Sequence, residues 1–196
     1  MFHDIPDSIT TVMADLEGRD ARDRADGTPR LERLRQVPRD TGRFLALTIA
    51  SAPPGPAVEV GTSAGYSALW LALGCRASRR RLTTYEILPA KAALARATFA
   101  AAGVEDVVDL VEGEFVLLDE PGAVAFAFVD AEKDVYLAAY ERLIGRLQPG
   151  ALLLADNVLS HAEELADFVA RVDGDPRVDA VTVPIGKGVL LARRLP

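Results

Sequence analysis

Apolar positions near the start of the chain recur at helical spacing. Ile9, Val12, Met13 and Leu16 predict an amphipathic first helix. A loop around Asp26-Gly27-Thr28-Pro29 follows. Beyond it Leu31, Leu34, Phe44, Leu47 and Ile49 predict two more helical stretches, broken near Pro38. The segment SAPPGPAVEVG then changes character. Its prolines and glycine end the helix, and a strand begins. From there strands and helices alternate. Short, continuous apolar runs predict strands at Ala57–Val60, Leu82–Ile87, Val107–Glu112, Val124–Asp130 and Ala151–Ala155, as expected where both sheet faces are covered. Helices are predicted at Ala64–Gly74, Pro89–Ala102, Asp134–Leu147 and Ala162–Val172. Gly74 and Gly103 read as helix stops and Pro149-Gly150 as a turn. Gly186-Lys187-Gly188 lies between two apolar runs and predicts a hairpin joining Val178–Val183 to Val189–Arg193.

This alternation implies an α/β fold: a mostly parallel sheet with right-handed crossovers and one antiparallel strand from the hairpin. No repeat, low-complexity run or linker divides the chain. Its 196 residues therefore read as one domain, with residues 1–50 a helical cap and 56–196 a Rossmann-like core. Composition changes the picture only by exclusion. A net charge of −7 argues against a general nucleic-acid binder. The arginines between Arg19 and Arg43, and the cluster Arg76, Arg79, Arg80 and Arg81, read as solvated faces. No apolar run is long enough to span a bilayer, and the acidic, periodic N-terminus does not read as a secretory signal. Cys75 is alone, so it reads as a small buried hydrophobe in a reduced, cytoplasmic protein.

The candidate chemistry begins at Gly61-Thr62-Ser63-Ala64-Gly65. These letters fit the nucleophile elbow of a hydrolase, with Asp130 and His161 as available partners for Ser63. Position argues otherwise, because only helices precede the first strand and no oxyanion-hole segment is present. The competing reading is a glycine turn that lets backbone approach a ligand, followed by a helix whose free N–H groups face it. Glu86 ends the second predicted strand, about 20 to 25 residues on, where an acid can hold both hydroxyls of a ribose. The glycine spacing lacks the close-approach glycine that a pyrophosphate needs. Glu59 supplies negative charge near a cation. Together these suit S-adenosylmethionine, with its aminoacyl tail, better than a dinucleotide.

The fourth strand ends in Asp130 and the fifth in Asp156-Asn157. Two carboxylates and an amide form a hard-oxygen set suited to Mg²⁺ or another hard divalent cation. Lys133 follows Asp130 by three residues, where burial and a nearby metal would lower its pKa toward that of a general base.

With these residues in place the chain resembles the metal-dependent class I O-methyltransferases of the catechol and caffeoyl-coenzyme A type. The resembling segments are VEVGTSAGYSAL, TYEILPAKAALARATFAAAG, FVDAEKDVYLAAYERLIGRLQPG and LLLADNVLS. The resemblance implies a seven-stranded sheet in the order 3-2-1-4-5-7-6 with strand 7 antiparallel, and methyl transfer from S-adenosylmethionine to a hydroxyl of a small aromatic. It implies that Asp130, Asp156 and Asn157 hold the metal and that Lys133 assists deprotonation. It places Glu86 and the adjoining Ile87 by the ribose and Asp130 beside the cofactor. Gly61, Thr62 and Ser67 fall against its methionine part, with Glu59 behind them. Val37 falls over the cofactor and Phe115 near the adenine. It further implies a homodimer with the N-terminal helices as the interface. Relatives that modify hydroxylated tRNA bases supply a rival acceptor. The chain departs from the pattern after Asn157, where only VLSHAEEL precedes the last helix, and at Val135. There His161 reads as a helix cap.

Overall fold

A computed structural model describes residues 1–115 and 122–196. Seven strands form one sheet in the order β3-β2-β1-β4-β5-β7-β6. They are β1 (Ala57–Val60), β2 (Leu82–Glu86), β3 (Val108–Glu112), β4 (Val124–Val129), β5 (Leu147–Ala155), β6 (Val178–Val183) and β7 (Val189–Arg194). β1 pairs in parallel with β2 and β4, β2 with β3, and β4 with β5. β7 runs antiparallel to both β5 and β6. The strand order reverses between β1 and β4, and that is where an open parallel sheet leaves a crevice at its carboxyl edge.

Alternation along the central strands feeds two cores. Ala57, Phe126 and Phe128 face the first, which holds α1 (Asp7–Ala25), α2 (Arg39–Ser51), α3 (Tyr66–Ser78) and α4 (Pro89–Ala102). Val58, Val60, Ala127 and Val129 face the second, with α5 (Tyr136–Ile144) and α6 (Ala166–Asp173). β4 is buried on both sides throughout, which explains its unbroken apolar run. In α5, Tyr136, Ala139, Tyr140, Leu143 and Ile144 are buried, the stripe expected of a helix laid on a sheet.

Several expected boundaries move, each for a physical reason. Leu31 and Leu34 do not form a helix. The Leu34 N–H is taken by the Asp23 carboxylate and its carbonyl by the Ser63 hydroxyl, so side chains satisfy the backbone that a helix would have paired. Gly74 lies inside α3 and does not end it. A Cβ there would stand 2.3 Å from Ile49 and 2.6 Å from the Ala46 carbonyl, so the glycine admits α2. The helix ends instead at Arg79, with φ 55°. α5 stops at Ile144, and β5 starts early, at Leu147. Pro149-Gly150 lies within β5, where its register against β4 shifts between Val124 and Phe126. The last helix begins at Ala166. The N–H groups of Val158, Leu159 and Ser160 go to the carbonyls of Gly188 and Lys187 rather than into a helical turn. Arg80 is buried, not solvated; it donates to the Ala52 carbonyl and the Ser78 hydroxyl. Cys75 is buried, as expected, and Gly103 caps α4 in the left-handed region.

Behind α5 a buried polar network ties the second core together. The Asp175 carboxylate is 1 % exposed and accepts bonds from Tyr140, Arg171, Arg177 and the Arg177 N–H. The bonded Arg177 guanidinium, above all, holds this carboxyl well below the usual range. Asp175→Ala is expected to destabilise the protein by about 2–4 kcal/mol in urea unfolding, because it strands these donors. The folded-state pKa lies below the unfolded value of about 3.9. The stabilisation is therefore complete above that value and is lost progressively as pH falls from it toward the folded-state pKa. Below about pH 4 the wild type should lose stability more steeply than Asp175→Asn.

Candidate active site

The carboxyl ends of β1, β2, β4 and β5 open into a cavity of about 690 Å³. Its floor is set by backbone. Gly61 follows β1 with φ +97°, and a Cβ there would lie 2.2 Å from the Asp130 carbonyl oxygen. No other residue type fits that approach. The Gly61 N–H donates to the Tyr85 carbonyl and the Asp130 N–H to the Val60 carbonyl, so three strand ends are stitched at one point.

On the β1–β2 side the Glu86 carboxylate accepts the Ser63 N–H at 2.7 Å and the Leu88 N–H at 2.9 Å. Both oxygens are thereby fixed at the cavity wall with lone pairs left for a ligand. Ser63 reaches this position through a left-handed φ of 50°. Its hydroxyl donates to the Leu34 carbonyl at 2.9 Å, and no histidine lies within hydrogen-bond reach of it. The nucleophile reading has no base to activate it. Thr62 donates to Thr84, and Thr84 donates to Glu59 at 2.6 Å. Glu59 is fully buried behind the wall. Burial pushes its carboxyl up to about 7, against the pull of the Ser67 and Thr84 hydroxyls. Val37, Gly61, Thr62, Ser67, Glu86, Ile87 and Phe115 line the cavity. Ile87 does so from an exposed position, whereas Phe115 is buried edge-on to Tyr85.

On the β4–β5 side Asp130, Lys133 and Asn157 line the same cavity, with Asp156 buried behind them. Asn157 has φ 70° and donates its amide to Asp130 at 2.7 Å. Both carboxylate oxygens of Asp156 are buried and make no hydrogen bond among the described residues. Burial first, then the Asp130 carboxylate, pushes the Asp156 carboxyl up to about 7. A buried acid without donors is the state a cation relieves. The donor chemistry, two carboxylates and an amide oxygen, fits a hard divalent ion. No group of three or more histidine, cysteine or acidic side chains gathers among the described residues. Lys133, in a 3-10 turn at Lys133–Val135, donates to the Ala131 carbonyl and the Tyr136 hydroxyl and lies 3.8 Å from Asp130. Burial lowers its pKa, while Asp130 and Asp156 raise it.

Sequence reasoning missed three features. Tyr136 bridges Lys133, Asn157 and the Asp156 carbonyl, but helical periodicity marks it only as core. Residues 26–37 form a strap over the cavity. Ser63 holds it, Arg30 and Arg35 pair with Glu132, and the buried Lys91 donates to the carbonyls of Glu32 and Arg33. The signal was a lysine in the first turn of α4, an odd place for a cation. The third is Lys187, at the tip of the β6–β7 hairpin, which also lines the cavity. His161 caps no helix by its side chain; its ring meets the Ser160 hydroxyl at 2.9 Å, at the cavity rim.

The strap carries Arg30, Arg33 and Arg35, each a site for trypsin. Lys91→Met removes two bonds from a charged donor. Tryptic cleavage within residues 26–37 is expected to speed up about tenfold or more, read by mass spectrometry of the intact protein.

Comparison with known proteins bears on this geometry. The sequence model of an O-methyltransferase family matches residues 24–195. Caffeoyl-CoA O-methyltransferase 1 of Eucalyptus globulus is 30% identical over 181 residues, covering 80% of this chain and 73% of that one. A flavonoid 3',5'-methyltransferase of Vitis vinifera is 31% identical over 190 residues, covering 83% and 80%. Among solved structures, an SAH-bound methyltransferase of Podospora anserina superposes with a TM-score of 0.80 at 26% identity, over 98% of this chain and 89% of that one.

Proposed function

The chain belongs to this O-methyltransferase family and uses S-adenosylmethionine; on that footing we propose that it methylates a hydroxyl of a small hydroxylated aromatic with the help of a hard divalent cation. The observation that carries the metal is the Asp156 carboxylate, buried with both oxygens unpartnered beside Asp130 and Asn157. The named substrates of the two plant relatives are phenolic, which supports an aromatic hydroxyl as acceptor. Residues 1–50 are proposed to cap a single catalytic domain.

Each residue then has a task. Glu86, held by two backbone N–H groups, accepts the ribose hydroxyls. The Gly61 turn and Ser67 take the methionine end, and the raised, buried Glu59 stands behind them with negative charge for its ammonium. Val37 and Phe115 close the apolar sides. S-adenosylmethionine supplies a methyl group on a sulfonium, open to in-line displacement by oxygen. Asp130, Asp156 and Asn157 would hold the cation, whose chemistry is to polarise a bound hydroxyl and lower its pKa. The Lys133 amine, its charge disfavoured by burial, receives the hydroxyl proton at Nζ. Tyr136 and the Ala131 carbonyl keep that amine aimed at the cavity. The balance is a methyl moved from sulfur to oxygen and a proton moved from oxygen to Lys133. No covalent enzyme intermediate is required, so orientation and fixed charge supply the acceleration.

The test is calorimetric and kinetic. S-adenosylhomocysteine should bind chelator-treated protein, and turnover of a catechol should require added Mg²⁺. Mg²⁺ should also raise the melting temperature of the wild type, because a ligand that binds only the folded state stabilises it. In Asp156→Ala that rise should vanish and kcat should fall by about a hundredfold or more. S-adenosylhomocysteine should still bind. Full turnover in chelator would sink the metal.

A further inference from the structure

The cavity's basic side chains are not equivalent. Arg24 pairs with Asp20, Arg30 and Arg35 pair with Glu132, Arg33 donates to the Thr28 carbonyl, and Lys133 lies against Asp130. The Lys187 ammonium has no hydrogen bond or ion pair among the described residues, although the residue is only half-exposed and lines the cavity. Its place is built. The Lys187 carbonyl accepts the N–H groups of Leu159 and Ser160, and the Gly188 carbonyl accepts that of Val158. The hairpin tip is thus stapled to the residues that follow Asn157. A Cβ at Gly188 would lie 2.4 Å from the Leu159 side chain, so glycine lets the tip pack this closely against the segment after Asn157. Lys187 thus faces the same cavity as Asp130, Lys133 and Asn157.

We propose that Lys187 is a specificity residue that reads a carboxylate carried by the aromatic acceptor; this rests on the methyl-transfer reading above. Topology sets it apart from the ribose end of the cofactor, while the hairpin tip also packs against Pro38 and Thr41. The glycine turn and Glu86 sit at the ends of β1 and β2, whereas Lys187 enters β7, beyond β5 in the sheet order. The oxygen set at the ends of β4 and β5 lies between them. An acceptor whose hydroxyls meet that set therefore has its far side within the field of Lys187. One free ammonium matches a monoanion: Arg24, Arg30, Arg35 and Lys133 are already set against Asp20, Glu132 and Asp130, and the acids Asp130, Glu132 and Asp134 on the same wall oppose a multiply charged phosphate. A single carboxylate on the ring fits. A neutral catechol leaves the ammonium partly desolvated and unpaired.

The experiment compares 3,4-dihydroxybenzoate with 3,4-dihydroxybenzamide, which has the same shape and no charge. Methyl transfer is measured with Mg²⁺, and acceptor binding to the S-adenosylhomocysteine complex is measured by calorimetry, in wild type, Lys187→Met and Lys187→Arg. The wild type is expected to prefer the benzoate about tenfold in kcat/KM and in affinity, the size of one charge-assisted bond. Lys187→Met should bring that ratio to about one, mostly through KM, and Lys187→Arg should keep most of it. Equal use of both acceptors by the wild type would overturn the proposal, as would a parallel loss of both in Lys187→Met. A drop in S-adenosylhomocysteine affinity in Lys187→Met would overturn it differently, by making Lys187 a cofactor contact. If neither acceptor turns over, the binding ratio decides alone. Failure of the wild type to bind S-adenosylhomocysteine would overturn the methyl-transfer reading and this proposal with it.

Discussion

The site depends on one close approach, the packing of Gly61 against the Asp130 carbonyl. That contact sits where the strand order reverses, so one side belongs to the β1–β2 half and the other to the β4–β5 half. Any side chain at Gly61 would wedge the two apart. Because the contact is between backbones, the separation of the halves does not depend on rotamers. Cofactor and acceptor must meet with sulfur, methyl and oxygen in line, and misplacement by an ångström can be expensive in rate. A glycine turn against a strand end is a stiff way to set such a distance.

Around that fixed point the protein tolerates charges that folding alone would reject. Glu59 and Asp156 are acids pushed up to about 7 by burial, and Lys91 and Lys133 are lysines pushed down by it. Asp175 shows the contrast. It too is hidden from solvent, though at shallower depth, yet five donors satisfy it and its carboxyl is held low. Away from the cavity a buried acid is fully paired. Beside the cavity Glu59 and Asp156 are left short of partners, as expected where ligands supply them. This is the pattern expected where binding opposes the stability of the empty protein.

Periodicity made the sheet and its helices legible, since strand and helix repeats are written in apolar spacing. It also brought Glu86, Asp130, Asp156 and Asn157 to strand ends, where a crevice had to form. It could not reveal the walls of the mouth. Residues 26–37 contain Leu31 and Leu34 at a helical interval, but Asp23, Ser63 and Lys91 claim the backbone from three distant elements. The segment after Asn157 is likewise held by carbonyls of the hairpin tip. Such long-range side-chain-to-backbone and backbone-to-backbone bonds leave no local pattern. Gly74 misleads for a related reason. Its use is to admit a neighbouring helix, and nothing within its own helix records that neighbour.

Ser63 shows how the same letters acquire different chemistry. In a hydrolase elbow the strained serine is turned so that its oxygen faces the substrate. Here a similar left-handed conformation turns its N–H onto Glu86, and the hydroxyl is spent on the strap. Among the described residues, positive φ outside glycine occurs at Arg35, Ser63, Arg79 and Asn157, and three of these four line the cavity. At Ser63 the strained turn orients Glu86, the acid proposed to face the ribose. At Asn157 it aims the amide at Asp130. Strain is therefore concentrated on the two residues that hold an acid in place on each side of the Gly61 contact. That is the arrangement expected when a site's geometry, rather than a reactive side chain, does the catalytic work.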